Sequence, residues 1–469
     1  MATASAQAAK PGASPYGPLA TEPDENGLLL PAGFTSRIIG VAGEKVAGTD
    51  HSWHAYPDGA ATFAVLDADG ADTGAWIYTG NSEVFSFMAP DAGGVSAVRF
   101  DPDGTITDAY PILKGSNSNC AGGPTPWGTW LSCEEAADEK GRVWECDPTG
   151  KKKAVAHPAM GLWAHEAAAV DPKGKRVYLT QDNPAGLLYR FTPTRYPDLS
   201  AGLLEAALVA DDGAVTWKEV PDPSGATKPT RDQVPGAAVF SGGEGIWYHD
   251  GFVYFTTKYD HSVHSIDLSA NTHRVIWKGD PDGLGVEKAV LSHVDNITVE
   301  DASGDLYVAE DGGNMELVMI TAEGAVAPFA RIPGAAHVAS EVTGPCFNPA
   351  GDRLYFSSQR GPTPKAVSEI VPGAQIAEKV GGITYEVTGP FRGLEAAAGA
   401  SSTTTSPVKT LGQAGGTEET SGSGDDGVSP AVVVGGGLFA IGVVAGGVIS
   451  IRRRRAEPPG GQTPPDDPT

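Results

Sequence analysis

A turn followed by an apolar, aromatic-rich strand recurs along most of this chain, and this recurrence limits the folds that the chain can adopt. The strand centres use Val, Leu, Tyr and Phe, which suit a half-buried pleated surface. The turns lie at Asp58-Gly59, Asp101–Gly104, Asp171–Gly174, Asp250-Gly251, Ser303-Gly304 and Asn348–Gly351. Several spacings are about 40–50 residues, the length of a four-stranded blade. The sequence therefore predicts an all-β fold, a β-propeller of about six blades with Gly382–Phe391 as its closing strand.

Composition agrees with an array of short strands. The 469 residues include 62 glycines and 37 prolines, which favour tight turns over helices. The net charge of −25 argues against nucleic acid as a partner, because its phosphates would be repelled. A surplus of carboxylates is what hard cations such as calcium need. Only ten histidines accompany 58 acidic residues, so a His-rich zinc or copper site is a poor fit.

Segments of different composition flank the predicted propeller, which we place at residues 26–395. Residues 1–25 are rich in Ala, Pro and Gly without periodicity, which predicts disorder. Residues 396–429 form a Ser/Thr/Gly-rich linker that cannot bury a core, and we expect a disordered stalk there.

The C-terminal part of the sequence predicts a membrane anchor. Residues 430–451 are uncharged and apolar, and about 20 such residues as a helix span a hydrocarbon layer of about 30 Å. Arg452–Arg455 open the basic, then Pro-rich tail 452–469 and mark it as cytoplasmic by the positive-inside rule. We expect a monomeric single-pass protein of the cell membrane with its propeller outside the cytoplasm. Residues 1–25 hold no signal-peptide core, so export depends on a signal upstream of Met1 or on the span itself.

The segment Asn119–Glu135 is dense in residues that are individually uncommon. It reads N-C-A-G-G-P-T-P-W-G-T-W-L-S-C-E-E, with two cysteines, two tryptophans and a closing pair of carboxylates. A loop that only joins strands needs Gly, Pro, Asn or Asp and has no need of indoles, thiols or an acidic pair. Two interpretations are open, a disulfide-pinned corner packed under tryptophans and a metal-site loop.

Acidic residues recur at the ends of predicted strands elsewhere in the chain. They are Glu166, Asp182, Glu244, Asp295, Glu310-Asp311 and Glu341. In a propeller, one such residue from each blade can converge on the central channel and form the oxygen-rich site that a hard cation prefers. Taken singly, each carboxylate could equally cap a turn on the rim.

Together, these segments resemble the PhoX-type alkaline phosphatase family, bacterial metal-dependent β-propeller phosphatases. The similar segments include H-E-A-A-A-V-D-P, G-E-G-I-W-Y, D-N-I-T-V and E-V-T-G-P-C-F-N-P, in order across about Asn26 to Phe391. The resemblance implies a six-bladed propeller whose channel mouth holds Ca²⁺ and Fe³⁺ and hydrolyses phosphate monoesters. Such a multimetal site can lower the pKa of a bound water and clamp a phosphoryl group.

The resemblance also implies a ligand set, although it leaves the catalytic residues undefined. Cys120 resembles a thiolate ligand of iron, and a thiolate fits iron better than calcium. The implied carboxylate ligands are Glu166, Glu244, Asp295 and Glu341, with Glu134, Glu135, Glu310 and Asp311 as weaker candidates for calcium sites.

Two departures from the family bear on activity. The well-studied phosphatases have an Arg-x-Glu arrangement where this chain has Gly242 and Gly243 before Glu244, and bidentate Arg–phosphate pairing is hard to replace. Many members have T-E-D where this chain has T-Q-D, with Gln181 in the middle. Lys258 and Arg190 are other cations, without a sequence argument that places them at the site. The alternatives to a phosphatase are a catalytically weak calcium-binding propeller that binds a ligand or partner, and a structural surface protein.

The four cysteines allow two arrangements. If Cys120 is a metal ligand, Cys133 and Cys146 could bridge a hairpin, which leaves Cys346 single. Alternatively, all four pair as two disulfides and the iron site does not exist.

Overall fold

Six β-sheets form a β-propeller in a computed structural model that describes residues 8–136, 140–279 and 289–394. Blade 1 contains β3 (Pro57–Leu66), β4 (Asp72–Ser82), β5 (Gly93–Phe100) and β6 (Ile106–Ser116). Blade 2 contains β7 (Asn119–Pro124), β8 (Trp130–Glu134), β9 (Val143–Cys146) and β10 (Val155–Ala156). Blade 3 contains β11 (His165–Asp171), β12 (Arg176–Gln181), β13 (Tyr189–Arg195), β14 (Asp198–Val209) and β15 (Val215–Glu219).

The second half of the ring repeats this plan. Blade 4 contains β16 (Gly243–His249), β17 (Phe252–Thr257), β18 (Ser262–Asp267) and β19 (Thr272–Lys278). Blade 5 contains β20 (Val294–Val299), β21 (Leu306–Glu310), β22 (Glu316–Ile320), β23 (Ala325–Arg331) and the added β1 (Lys10–Pro11). Blade 6 contains β24 (Val342–Phe347), β25 (Arg353–Ser358), β26 (Ile383–Thr388) and β2 (Thr35–Val41). Short helices lie between strands, α1 (Val367–Ile370) and 3-10 turns at Pro158–Met160, Thr230–Asp232 and Ala335–His337.

The all-β, six-bladed architecture predicted from the turn–strand repeat is confirmed. Four of the six predicted turns join the innermost and second strands of a blade, at Asp171–Gly174, Asp250-Gly251, Ser303-Gly304 and Asn348–Gly351. The other two differ, since Asp58-Gly59 lies within β3 and Asp101–Gly104 joins β5 to β6. In blade 4, Asp250 and Gly251 have φ of +40° and +88°, and His249 pairs with Phe252 across them. Positive φ at both central residues gives a two-residue turn whose twist matches the flanking strands.

Blade 6 joins the two ends of the described chain. β26 falls within the segment predicted as the closing strand, but the outer strand of this blade is β2, which pairs antiparallel with β26. Because an N-terminal strand completes the sheet that holds the last strand, the ring closes through backbone hydrogen bonds.

Residues 8–25 also differ from the predicted disorder. β1 pairs parallel with β23, and the Tyr16 ring packs on Phe34 and Phe329, so this segment covers apolar surface of blade 5.

The four cysteines test the two predicted disulfide arrangements. All four cysteines are buried and free. In the hairpin of β8 and β9, Cys133 lies opposite Val143, and Cys146 lies opposite Trp130. Both predicted arrangements of disulfides are therefore wrong, because the strand register never brings the two thiols of this hairpin face to face.

The predicted linker 396–429, span 430–451 and tail 452–469 lie outside the described residues. Within residues 8–136, 140–279 and 289–394, every helix is too short and too polar to cross a bilayer.

A buried carboxylate ties the closing blade together. Glu386 accepts hydrogen bonds from Arg37 at 2.8 Å, from Arg353 at 2.7 Å and from the Tyr355 hydroxyl at 2.7 Å. Trp76 of blade 1 in turn donates to the Tyr355 hydroxyl at 3.0 Å. Glu386 therefore links β2, β25 and β26 and reaches the next blade.

Glu386→Ala should lower the free energy of unfolding by about 3–5 kcal/mol, because the two guanidinium groups and the phenol lose a buried partner. The exposed control Glu219→Ala should change it by less than about 0.5 kcal/mol. Urea denaturation followed by tryptophan fluorescence measures both. Equal midpoints for the two variants would show that blade closure does not depend on Glu386.

A histidine pair is buried in blade 4. His264 Nδ1 lies 2.9 Å from His273 Nε2, and His264 Nε2 lies 2.8 Å from the Thr257 hydroxyl. Burial, and then the neighbouring charge of His273 and Lys278, lowers the pKa of His264 to about 3. The unfolded chain protonates this imidazole near pH 6.5. Its contribution to stability is therefore present above pH 6.5 and is lost as the pH falls toward 3.

At pH 5, protonation of His264 in the unfolded state should have removed about 2 kcal/mol of stability relative to pH 8. His264→Gln keeps a polar group near Thr257 and His273 but does not titrate, so its stability should fall less over this range. Urea unfolding of both proteins from pH 5 to 8 measures the difference. Identical slopes for the two proteins would contradict the assignment.

Candidate metal centre

The innermost strands of all six blades begin at one end of the channel, which we call the mouth. In blades 1 to 5 the second residue of this strand carries a metal-binding group, and these five residues form the inner ring. They are Asp58, Cys120, Glu166, Glu244 and Asp295. The pairing register shifts directly at each of these positions. A bulge of this kind turns a side chain away from the regular pleat, and here it directs the inner ring at the channel axis.

A glycine or alanine follows four of the five inner-ring residues, because the strands converge there. A Cβ on Gly59 would lie 2.4 Å from Cα of Ala121, and a Cβ on Gly245 would lie 2.6 Å from Cα of Asn296. A space of 20 Å³ lies below, between the inner strands. The channel is therefore narrow directly below the inner ring.

Side chains of one blade fix the backbone of the next blade's inner-ring residue. The amide of Asn81 donates to the carbonyl of Cys120 at 3.0 Å. The hydroxyls of Thr180 and Thr256 donate to the carbonyls of Glu244 and Asp295, both at 2.5 Å. Each of these donors is the next-to-last residue of the second strand of its blade. This repeated bond sets the position of the inner ring before any ion is bound.

The inner ring shares the mouth with a second set of side chains, the outer ring, which directly follows the second strand of a blade. Its members are Glu83, Glu135, Asp182, Lys258 and Asp311, with Gln359 and Arg360 in blade 6. Adjacent residues of a strand point to opposite faces. Therefore, of the last residue of a second strand and the residue that follows it, only the following residue faces the channel.

Among the described residues, three groups of side chains could each hold an ion, because the ligand atoms of each group lie within 4.8 Å of one another. The groups are Asp58, Glu83 and Cys120; Cys120, Glu135 and Glu166; and Glu166, Glu244 and Asp295. Cys120 belongs to two groups, and its Sγ lies 3.1 Å from Glu166 Oε1 and 3.8 Å from Asp58 Oδ2. Glu166 also belongs to two groups, so the three candidate sites adjoin in a row.

The predicted site residues divide into two classes. Cys120, Glu135, Glu166, Glu244 and Asp295 come together in these groups, although up to 175 residues separate them in the sequence (295 − 120). Glu341 and Asp311 lie beside them. Glu341 is held by Arg360 at 3.0 Å, and Asp311 is within electrostatic range of Glu341, Lys258 and Arg360.

Glu134 and Glu310 are placed elsewhere. Glu134 accepts the backbone N–H groups of Asn117 and Arg142, and Glu310 accepts those of Ser292 and Glu316. Each is the last residue of a second strand, so its carboxylate points away from that of the following residue. Of the pairs Glu134-Glu135 and Glu310-Asp311, only the second member faces the mouth.

Asp58 and Glu83 belong to the candidate groups but were missed as ligands, whereas Asp182, which was expected near the channel, lies beside Lys258 and outside these groups. Asp58 was interpreted as part of a turn, and Glu83 follows a strand whose end the sequence did not define. The sequence signal that could have identified Glu83 is an alignment of the blades with one another. The residue after each second strand is charged in blades 1 to 5, at Glu83, Glu135, Asp182, Lys258 and Asp311.

Negative charge dominates the electrostatics of this centre. Burial raises the pKa of Asp58, and Glu83, Asp295 and Glu166 raise it further. Burial, followed by the charge of Asp311, raises the pKa of Asp295 to about 7. Oδ1 atoms of Asp58 and Asp182 are buried without a hydrogen-bond partner. Unpaired buried carboxylate oxygens beside a thiol fit metal ions, which would supply the missing positive charge.

Two cations of the described part of the chain, Lys258 and Arg360, lie within this acidic surrounding. Lys258 Nζ is 2.7 Å from Glu244 Oε1 and 3.2 Å from Asp182 Oδ2. Burial by itself lowers the pKa of Lys258, but Asp182 and Asp311 outweigh it and raise the pKa well above the usual value. Arg190 lies elsewhere, since it pairs with Glu205 at 2.7 Å on the outer strands of blade 3.

Gly242 has no room for a side chain. Its φ is +68°, and a Cβ there would lie 2.6 Å from the Tyr259 ring and 2.8 Å from Cγ of Lys258. An arginine at this position would require Lys258 and Tyr259 to move.

Fold and site together define a six-bladed propeller with an acidic, thiol-containing candidate metal centre at one channel mouth. The chain belongs to the PhoX alkaline phosphatase family, whose pattern matches residues 88–283 and 279–361.

The chain matches solved structures at low sequence identity. PhoX of Pseudomonas fluorescens in complex with vanadate, a transition state analogue, is 17% identical with a TM-score of 0.59, over 83% of this chain and 98% of that one. A structural genomics protein of Bacteroides thetaiotaomicron is 12% identical with a TM-score of 0.44, over 76% of each chain. The calcium-binding protein regucalcin of Agrobacterium tumefaciens is 17% identical with a TM-score of 0.34, over 76% of this chain and 96% of that one. Among curated proteins, none matches the chain.

Glu166→Gln should lower the amount of metal that the purified protein retains, because Glu166 belongs to two of the three candidate groups. The loss should be at least one equivalent per chain. Glu310→Gln is a matched control at a buried glutamate outside the groups and should retain the wild-type content. Mass spectrometry of metals on folded, desalted protein measures both. Equal metal content in the two variants would place the ions elsewhere.

Proposed function

We propose that this protein is a metal-dependent phosphatase that hydrolyses phosphate monoesters at the channel mouth. The observation that carries the proposal is the row of three adjoining acidic groups that share Cys120 and Glu166. Membership in the PhoX alkaline phosphatase family supports the reaction class. The vanadate complex of the Pseudomonas fluorescens protein, described as a transition-state analogue complex, supports phosphoryl chemistry on this fold.

The donor atoms of the three groups suit different ions. The two groups with the Cys120 thiol suit iron, because a thiolate prefers iron to calcium. The group of Glu166, Glu244 and Asp295 offers oxygen ligands alone and suits calcium. When bound, such ions activate a water and neutralise the charge of a phosphoryl group.

The chain's own residues prepare this site. The hydrogen bonds from Thr180 and Thr256 hold the carbonyls of Glu244 and Asp295, so their carboxylates start from fixed positions. Gly59 and Gly245 allow the inner strands to approach closely and narrow the channel below the site. A substrate therefore enters and leaves through the mouth, and its ester group faces solvent. This arrangement favours monoesters, whose phosphoryl end can reach the site without room for a second substituent.

The metal-loaded protein should hydrolyse para-nitrophenyl phosphate, and a chelator should abolish the activity. Cys120→Ser should lower kcat by about 10²–10³ because the thiolate shared by two groups is lost. Cys346→Ser replaces another buried cysteine, away from the mouth on β24, and should keep wild-type kcat. Release of para-nitrophenol with calcium and iron supplied measures the activity.

Metal-replete protein that hydrolyses none of several phosphate monoesters would contradict the phosphatase assignment. The alternative is then a calcium-binding propeller that binds a ligand or partner at the mouth. Gly242 is the observation that favours this alternative, because an arginine side chain does not fit there.

We further propose that residues 430–451 anchor the protein in the cell membrane with the propeller outside the cytoplasm. The apolar run before Arg452–Arg455 supports this topology. Protease added to intact cells should release a soluble fragment that ends within residues 396–429, because a linker of this composition is accessible. Mass spectrometry of the released fragment locates the cut. Protection of the propeller until lysis would reverse the topology.

A further inference from the structure

The charge of the outer-ring residue changes sign in blade 4. In blades 1, 2, 3 and 5 the residue after the second strand is acidic, whereas blade 4 places Lys258 there. The register is the same, since Gly243 pairs with Thr257 as the corresponding residues pair in the other four blades. Lys258 is therefore directed at the mouth like its acidic counterparts, but it brings a positive charge.

The local backbone fixes the path of the Lys258 side chain. Gly242 lies directly below it, since a Cβ there would be 2.8 Å from Cγ of Lys258. The Lys258 N–H donates to the carbonyl of Gly242 at 2.8 Å. Nζ then reaches Glu244 and Asp182, and 27% of the side chain remains exposed. The Lys258 side chain thus lies at the boundary between the acidic centre and solvent.

At this position the ammonium group can meet a metal ion of the acidic centre and an anion that approaches from the mouth. A protonated lysine cannot ligate a metal ion, and it would repel one. Glu244 belongs to a candidate metal group, so an ion bound there competes with Lys258 for this carboxylate. The three N–H donors of Nζ then have capacity for an anion that approaches from the mouth.

We propose that Lys258 is a substrate-binding residue that donates hydrogen bonds to the phosphoryl oxygens of the phosphate monoester. The proposal rests on the proposed function, and it assigns a chain residue to the recognition of the phosphate. Lys258 supplies the compact positive charge of an ammonium group from the outer ring of blade 4. Tyr259, which packs over Gly242 and is 41% exposed, lies next to it on the open side.

The test is the affinity for inorganic phosphate, measured by isothermal titration calorimetry on metal-replete protein. Lys258→Met keeps the length of the apolar stem and should weaken phosphate binding by about 10–100-fold, because one charge-assisted hydrogen bond is lost. Lys258→Arg should recover most of the affinity. Lys173→Met is a matched control at an exposed lysine near the opposite end of the channel, and its phosphate affinity should equal that of wild type.

Metal content and kinetics of the same samples separate the possible roles. If Lys258 binds substrate, Lys258→Met retains the wild-type metal content and lowers kcat/KM for para-nitrophenyl phosphate by a similar factor. If Lys258→Met changes metal content while phosphate affinity per loaded protein is unchanged, Lys258 shapes the metal centre and the proposal is overturned. If Lys258→Met does not fold, Lys258→Gln replaces it with the same expected loss.

The outcomes also distinguish the two proposals. Wild-type protein that binds phosphate and hydrolyses monoesters, with Lys258→Met equal to it, would overturn the role of Lys258 alone. Wild-type protein that retains metal but neither binds phosphate nor hydrolyses esters would overturn the proposed function and this inference together.

Discussion

Electrostatic repulsion at the channel mouth is the constraint on which the rest of the structure depends. Nine carboxylates of the two rings and the blade 6 loop converge there with the thiol of Cys120, while the cations beside them are Lys258 and Arg360. Buried charges of one sign are unfavourable unless they are neutralised, and here the pKa of Asp58 and that of Glu166 are both raised. A fold can keep such a centre only if its backbone is held by other interactions.

The propeller supplies those interactions around the ring rather than at the mouth. Buried aromatic side chains fill the spaces between blades, as Trp76, Phe100 and Tyr355 do between blades 6 and 1. The hydroxyls of Thr180 and Thr256 tie the inner-ring backbones to the preceding blades. Stability therefore comes from apolar packing and backbone hydrogen bonds, and the mouth is free to carry groups that repel one another. Metal ions would relieve this repulsion, which connects binding to the stability of the site.

The sequence predicted the blades better than it predicted the ligands. The turn–strand repeat depends on local chemistry, such as Asp250-Gly251 before an apolar strand, and local chemistry is visible in one sequence. Glu166, Glu244 and Asp295 could be anticipated because each lies at the start of a recognisable inner strand. Cys120 could be anticipated because the segment Asn119–Glu135 is dense in uncommon residues. The choice between Glu134 and Glu135 could not, because a shift of one residue moves a side chain to the opposite face of a strand. The same uncertainty of strand ends hid Glu83.

By itself, the sequence determined the all-β class, the number of blades and the acidic character of the mouth, because composition and hydrophobic period specify them. Only the tertiary structure decided which carboxylates meet. It placed Lys258 beside Glu244 and excluded Arg190, which pairs with Glu205 on an outer strand. It also left the four thiols unpaired. The physical reason is that these contacts join blades far apart in the chain, so their geometry follows from the register of each sheet and from ring closure, which no local pattern encodes.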